Sequence, residues 1–229
     1  MIIENEIDKI ERYNALCPLF QAIEKHKYNK LENLIGEYDI NREWPPHSNT
    51  ALLYAIEKND LHSVQILVEN GADVNLDGIR GLPLNQAIFK GNTAIMTYLL
   101  ENGADVSRSS GMLYAMSPIQ YATQTMAGID VFEVLLKFGA DINASSEKND
   151  TPLQIVILSG NYILARFLLE NGANPSLIGD REKYLLKMHP IDKMTDLLLE
   201  YGVDTTLNKE SYSPLDILLE YGADTTLLH

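Results

Sequence analysis

The feature that most constrains this chain is a short sequence that recurs at nearly constant spacing. Gly-Ala-Asp-Val-Asn, or a close variant of it, begins at Gly71, Gly103, Gly139 and Gly172, and these glycines are 32, 36 and 33 residues apart. A repeat of this length is one small supersecondary unit that buries its apolar face only against its neighbours. The sequence therefore predicts a row of stacked units built on one plan.

A second motif keeps step with the first. Ser117-Pro118-Ile119 and Thr151-Pro152-Leu153 carry it in full, and weaker copies begin at Cys17, Thr50 and Leu82. A hydroxyl side chain can cap the free N–H groups at the start of a helix, and proline suits the first helical turn. Apolar residues at helical spacing follow, so each unit is predicted to begin with a short helix.

A second helix is predicted to complete each unit. Gly91 and Gly160 break the chain after the first helix. Apolar residues such as Val64 and Leu67 then mark the buried side of the next helix. Gly71 ends that helix, because glycine readily adopts the left-handed conformation of a helix C-terminus. About ten residues then cross to the next unit as a hairpin loop.

These two motifs, recurring in fixed phase over residues 13 to 226, resemble ankyrin repeats. The resemblance implies an all-α ankyrin-repeat solenoid of stacked helix-turn-helix units with hairpin loops. We expect one domain over residues 1–229. Its parts are repeats at about 13–41, 46–75, 78–107, 113–143 and 147–176, a degenerate repeat at 177–206 and a single-helix cap at 207–229.

The chain departs from the family pattern in two ways. The histidine that usually follows Thr-Pro-Leu is replaced in every copy, by Phe20, Leu53, Asn85, Gln120 and Gln154. In the family that histidine ties hairpins together, so the resemblance implies that the network is remade or lost. The third repeat is also longer, with extra residues around 109–116 and 126–129.

Composition and charge narrow the class of partner. The formal net charge is -14, which disfavours nucleic acid and anionic membranes as partners. One cysteine excludes an internal disulfide and suits a reducing compartment. No run approaches the roughly 18 apolar residues that would span a bilayer, and the first residues do not resemble a signal peptide. We expect a cytoplasmic protein, with signal-free export to a host cell as the alternative.

The sequence offers no arrangement typical of catalysis. The five histidines are scattered, and neither a phosphate loop nor a nucleophile elbow is present. Asp73, Asp105 and Asp141 recur with the repeat, which favours a structural role because catalysis needs groups that converge at one point. Cys17 stands at the threonine position of the first repeat, which favours a small buried side chain. We expect no enzyme activity, no catalytic residue, no metal and no cofactor.

In ankyrin proteins the partner usually contacts the hairpin tips and the first helices, so the resemblance implies a binding site on that concave face. The candidates are the aromatic, apolar, cationic and amide residues at those positions: Trp44, His47, Lys58, Ile79, Arg80, Phe89, Lys90, Leu113, Tyr114, Met116 and Gln124. Exposed aromatic residues with arginine nearby are typical anchors of protein interfaces. In the alternative interpretation, Trp44 covers the first repeat, and Tyr114 and Met116 fold back onto their own hairpin.

We therefore expect a monomeric, noncatalytic module that binds a folded protein or a peptide. A second hypothesis is an inhibitor or immunity protein of a cognate enzyme or toxin, or a host-directed effector of an intracellular bacterium or virus. The sequence by itself does not separate the two.

Overall fold

The computed structural model describes residues 17–44, 49–78, 81–110, 116–145, 150–179 and 193–203. These residues form eleven α-helices and one short 3-10 helix, and they contain no β-strand. The first helices of the repeats are α1 (Pro18–Glu24), α3 (Ala51–Glu57), α5 (Pro83–Lys90), α7 (Pro118–Gln124) and α9 (Pro152–Ser159). The second helices are α2 (Tyr28–Ile35), α4 (Leu61–Glu69), α6 (Thr93–Glu101), α8 (Ile129–Lys137), α10 (Tyr162–Glu170) and α11 (Lys193–Glu200). The predicted all-α repeat fold is confirmed.

The chain divides into two compact units, Met1–Asp141 and Ile142–His229. The first holds the helix pairs from α1 to α8, and the second holds α9, α10 and α11. A single domain over the whole chain stays a prediction. The C-terminal cap expected at 207–229 lies outside the described residues.

The starts of the helices follow from their capping residues. In α3 the Thr50 side chain accepts a hydrogen bond from the Leu53 N–H at 3.2 Å. In α7 and α9 a glutamine at the missing histidine position reaches back instead. The Oε1 atom of Gln120 accepts from the Ser117 N–H at 3.0 Å, and that of Gln154 accepts from the Thr151 N–H at 2.8 Å. These capping boxes give two of the histidine replacements a local role at the start of their own helix.

One residue with positive φ lies between the two helices of each repeat. These residues are His26, Asn59, Gly91, Met126 and Gly160, with φ of 48°, 59°, 64°, 53° and 69° respectively. Glycine adopts this left-handed conformation without steric cost, whereas other residues resist it. Equivalent backbone geometry thus defines equivalent positions in the five repeats. The turn after Met126 is one residue longer than the others, because α8 is capped by Gly128.

The core of the first unit consists of two stacks of helices. The first helices α1, α3, α5 and α7 contact one another in sequence, and so do the second helices α2, α4, α6 and α8. Leu52, Leu67, Leu99 and Phe132 are almost fully buried between them. Phe20, at the histidine position of the first repeat, stacks on the Tyr54 ring with their centres 4.3 Å apart. The apolar pattern of the sequence therefore forms the interior, as the repeat predicts.

Asparagine side chains at one position of the repeat join neighbouring repeats, and we use the name asparagine column for Asn41 and Asn75 of the first unit. The amide of Asn75 donates to the Gly103 carbonyl at 2.8 Å and accepts from the Asp105 N–H at 2.9 Å. Asn41 makes the same pair of bonds to Gly71 and Asp73. In the second unit, Asn143 makes this pair of bonds to Gly172 and Asn174. These bonds connect the ends of neighbouring second helices across about thirty residues of sequence.

The recurring aspartates have a separate and local function. The Asp73 carboxylate accepts a hydrogen bond from the Asn75 N–H at 2.8 Å. The Asp105 carboxylate accepts hydrogen bonds from the Ser107 N–H at 2.8 Å and from the Ser107 hydroxyl at 2.7 Å. Both carboxylates thus close a turn, which is the structural role that their period predicts. Ser107 replaces the asparagine of the column and bonds within its own turn.

Candidate protein-binding surface

Six of the eleven predicted site residues lie within the described residues, all of them in the first unit: Trp44, Lys58, Phe89, Lys90, Met116 and Gln124. Lys58, Phe89, Lys90 and Gln124 are exposed at the ends of first helices, whereas Trp44 and Met116 are half-buried. The remaining five, His47, Ile79, Arg80, Leu113 and Tyr114, lie outside the described residues.

The end of each first helix presents equivalent side chains immediately before the residue with positive φ. Lys25, Lys58 and Lys90 hold this position in the first three repeats, and all three are exposed. Thr125 and Ser159 hold it in the next two. We call the three lysines the lysine column. Lys25 was not among the predicted site residues, although its shared position with Lys58 and Lys90 is a signal that the repeat alignment contains.

Phe89 immediately precedes the last lysine of the column, and its side chain is 63% exposed. The other apolar residues of α5, such as Leu84 and Ile88, are buried. The equivalent position is polar in the neighbouring repeats of this unit, at Glu57 and Gln124. The fold therefore does not require an aromatic ring here. We use the name first-helix surface for Lys25, Lys58, Phe89, Lys90 and Gln124.

Met126 is a second exposed apolar side chain, two residues after Gln124 of the first-helix surface. It was not among the predicted site residues. It is 66% exposed and has φ of 53°, at the position that Gly91 and Gly160 hold in other repeats. A left-handed conformation costs a non-glycine residue about 1–2 kcal/mol. The exposed side chain gains little from burial, so packing within the described residues does not account for a methionine at this position.

Lys58 is held by its neighbours in the stack. Its Nζ lies 2.6 Å from Glu24 Oε2, which also accepts a hydrogen bond from the Tyr54 hydroxyl at 2.5 Å. The hydrogen bonds from Lys58 and Tyr54 lower the pKa of Glu24, and the bond to Glu24 raises the pKa of Lys58. By contrast, Lys25 and Lys90 have no carboxylate within ion-pair distance in the part of the chain that the structure describes.

Trp44 packs against side chains that shortly precede it in the chain. The Arg42 guanidinium carbon lies 4.7 Å from the centre of its ring, and the Tyr38 ring packs edge-on at 5.7 Å. Its backbone N–H donates to the Asn49 carbonyl at 3.0 Å, which closes the hairpin base. The indole Nε1 is buried without a hydrogen-bond partner among the described residues. These contacts agree with the alternative in which Trp44 covers the first repeat, and its part in binding stays a prediction.

A shallow open groove of about 370 Å³ lies on the second helices, lined in part by the small side chains of Thr93, Ala94 and Thr97. No group of three or more His, Cys, Asp or Glu residues with metal-binding geometry occurs among the described residues. None of the helices described is long and apolar enough to cross a membrane. Cys17 is buried, and burial raises the pKa of its thiol.

Comparison with protein families identifies the repeats. A family model described as ankyrin repeats in three copies matches residues 19–110, and one described as ankyrin repeats in many copies matches residues 125–169. The chain belongs to the ankyrin repeat family. Ankyrin repeats generally mediate protein–protein interaction, and ankyrin repeat proteins are typically noncatalytic.

Ankyrin repeat proteins from several groups of organisms are similar to this chain. Ankyrin repeat protein nuc-2 of Neurospora crassa is 30% identical over 77% of this chain, a match that covers 16% of the relative. A putative palmitoyltransferase, ZDHHC13 of Danio rerio, is 33% identical over 58% of this chain and 21% of its own length. Human ankyrin repeat and SOCS box protein 6 is 23% identical over 85% of this chain and 53% of its own length. The chain therefore spans about half or less of each of these relatives.

Proposed function

We propose that this ankyrin repeat protein is a noncatalytic module that binds a protein partner through its first-helix surface and the adjoining hairpins. The observation that carries the proposal is Phe89, an aromatic side chain 63% exposed at a position that neighbouring repeats fill with polar residues. Burying a phenylalanine side chain contributes about 1.5–3 kcal/mol, and aromatic residues are frequent anchors of interfaces. The predicted hairpin residues Trp44, Ile79, Arg80 and Tyr114 belong to the same proposal.

The lysines beside Phe89 support a specific contact rather than a purely apolar one. Lys90 follows Phe89 directly and has no ion-pair partner in the described part of the chain. An exposed cation beside an aromatic ring can pair with a partner carboxylate at the edge of the contact, where it adds selectivity more than affinity. The interpretation of the protein as a cytoplasmic monomer stays a prediction.

The proposal is tested by comparing the chain with a variant of its first-helix surface. Phe89→Ala with Lys90→Ala removes the proposed anchor and its charge. The matched control is Ile163→Ala, which removes an apolar side chain of similar exposure, 68%, from a second helix. Tagged proteins are used to purify partners from the source cells, and the captured proteins are compared by quantitative mass spectrometry.

We expect the proteins captured by the unchanged chain to be retained by the control and lost by the double variant. Circular dichroism and thermal unfolding confirm that all three proteins are folded. A captured partner is then titrated against each purified variant by calorimetry. Equal affinity of the double variant and the control for that partner would place the binding site elsewhere on the chain.

The second hypothesis, an inhibitor, an immunity protein or a host-directed effector, also requires a protein partner. No feature of the described residues favours it over a general binding module. Relatives from an animal and a fungus do not separate these roles either. The partner recovered in the purification would decide between them.

A further inference from the structure

We propose that the partner presents an acidic, extended segment to the lysine column, with an apolar side chain that covers Phe89. This inference rests on the proposed function and specifies the chemistry of the partner. It is carried by three observations: the equivalent placement of three lysines, the absence of a carboxylate partner for two of them among the described residues, and the exposed ring beside the last.

The repeat geometry sets the spacing of the column. Lys25, Lys58 and Lys90 each stand directly before the residue with positive φ, and the helices that carry them, α1, α3 and α5, pack side by side. Packed helices lie about 8–10 Å apart. The column therefore places the backbone of one lysine about every 10 Å along the stack.

The charges around the column leave its outer lysines available. The Glu24 carboxylate is already held by Lys58 and Tyr54, and the Glu57 carboxylate accepts a hydrogen bond from the Asn49 amide at 3.2 Å. Lys25 and Lys90, in contrast, have no carboxylate partner in the described ranges. An acidic segment along the column would therefore contact Lys25 and Lys90, which no described carboxylate pairs with. Between them it would contact Lys58, whose ammonium group is paired with Glu24.

The cations are notable because the chain as a whole is acidic, with a net charge of -14. Two of the four second helices of the same unit, α4 and α6, end in the opposite charge, at Glu69 and Glu101. A lysine at a helix C-terminus interacts favourably with the helix dipole by a few tenths of a kcal/mol. Thr125 and Ser159 at the equivalent position indicate that the fold does not require that contribution.

The spacing also indicates the conformation of the segment. Three residues of a polyproline II segment advance about 9 Å and return to the same side of the chain. Carboxylates at every third position therefore match the column, whereas an α-helix needs about six residues for the same distance. Since Phe89 adjoins Lys90, the apolar residue belongs at the end of the segment that lies on Lys90.

A nucleic acid is the other polyanion that three lysines would attract. Its phosphates continue at close spacing beyond the column and would meet the acidic remainder of the chain. A short peptide can confine its charges to the column. The observations thus favour an acidic peptide segment, and binding of nucleic acid becomes an outcome of the test.

The experiment selects peptides from a phage-displayed random library of twelve residues on the immobilised full chain. We expect the selected peptides to be enriched in Asp and Glu, with acidic residues three positions apart and an apolar residue at one end. A labelled synthetic copy is titrated by fluorescence anisotropy against the unchanged chain and its variants. Lys25→Glu with Lys90→Glu should raise the dissociation constant at least about tenfold, since two attractive pairs become repulsive.

The matched control is Lys30→Glu with Lys137→Glu, which changes the net charge equally but alters exposed lysines of second helices. It should change the dissociation constant less than about twofold, because screening weakens distant charges. Phe89→Ala should weaken binding by at least about fivefold, through loss of the apolar contact. Circular dichroism and thermal unfolding confirm that each variant is folded.

Several outcomes would overturn the inference. Selected peptides that are neutral or basic, the absence of any selected peptide, or equal binding by the two charge-reversed variants would each exclude an acidic segment on the column. Binding of a twelve-nucleotide single strand that is lost only in the Lys25 and Lys90 variant would reassign the column to nucleic acid. A non-acidic peptide whose binding still requires Phe89 would overturn the inference but leave the proposed function intact.

Discussion

Two columns of polar residues follow the same repeat and differ in whether their hydrogen-bonding groups are used within the chain. In the asparagine column, Asn75 both donates to and accepts from the next repeat. In the lysine column, Lys25 and Lys90 have no carboxylate partner among the described residues. Periodicity by itself therefore does not distinguish residues that hold the stack together from residues free to bind a partner. What distinguishes the two groups is whether their polar atoms form hydrogen bonds or ion pairs within the fold.

Asn85 represents a third class, because its polar atoms are unused and also buried. Its side chain is fully buried, and neither the Oδ1 nor the Nδ2 atom has a hydrogen-bond partner in the described part of the chain. It lies where Gln120 and Gln154 close their capping boxes, but its side chain is one methylene shorter. Leu82 at the N-cap supplies no side-chain oxygen either. An unpaired buried amide lowers stability, whereas an unpaired exposed lysine does not.

The largest effect is expected in the asparagine column. Asn75→Ala removes two hydrogen bonds between repeats and leaves the Gly103 carbonyl and the Asp105 N–H without this partner. At 0.5–1.5 kcal/mol for each bond, we expect a loss of about 2 kcal/mol in the free energy of unfolding. Urea denaturation followed by circular dichroism measures it.

Ser107→Ala is the matched control for Asn75→Ala, because Ser107 holds the same position and, among the described residues, its side chain bonds within its own turn. We expect it to cost about 0.5 kcal/mol or less, since its hydroxyl is exposed. If the two substitutions lowered stability equally, the bonds between repeats would not be the source of the column's contribution.

The next effect concerns Asp60, another polar group fully used within the fold. It accepts hydrogen bonds from the Ser63 N–H and Oγ and contacts His26 Nδ1 at 3.0 Å. Burial by itself raises the pKa of Asp60, but these hydrogen bonds and the His26 charge outweigh burial and lower it. The stabilisation is therefore complete above the unfolded pKa of about 3.9 and is lost as the pH falls through the native value.

Asp60→Asn keeps a capping side chain but removes the charge, so we expect a loss of about 1.5 kcal/mol at pH 7. The difference from the unchanged chain should shrink as the pH falls from about 5 to 2, where Asp60 itself becomes protonated. Urea titrations across this range measure the difference. Parallel stability curves would show that the charge of Asp60 does not stabilise the native state.

The sequence predicted the helix pairs because their apolar spacing and capping residues are local. It did not predict the bond from Asn75 to Gly103, because that contact depends on how far one repeat is displaced against the next. For the same reason the sequence did not distinguish Lys58 from Lys90. Lys58 forms an ion pair with Glu24 of the preceding repeat, whereas Lys90 has no carboxylate partner in the described residues. The sequence also does not show whether an aromatic ring is covered by its own chain. Trp44 was predicted as an interface anchor, but Arg42 and Tyr38 pack on its ring.

A smaller effect, of opposite sign, is expected at Asn85. Asn85→Gln lengthens the side chain so that its Oε1 can accept the Leu82 N–H, as Gln154 accepts the Thr151 N–H. We expect a gain of about 1 kcal/mol in the free energy of unfolding, measured by urea denaturation. The reverse change, Gln154→Asn, should lower stability by a similar amount. A loss on both substitutions would indicate that side-chain volume, rather than the unpaired amide, determines stability at this position.

The smallest effect on stability is expected in the lysine column. Lys25→Ala and Lys90→Ala should each change the free energy of unfolding by less than about 0.5 kcal/mol, because each removes an exposed charge that no described carboxylate pairs with. Lys58→Ala is the comparison within the column, since it separates Glu24 from its cation. A larger loss for Lys58→Ala than for the other two would confirm that only the outer lysines are free. A loss above about 1 kcal/mol for Lys25→Ala or Lys90→Ala would instead give these lysines a structural role, and the contrast with the asparagine column would not hold.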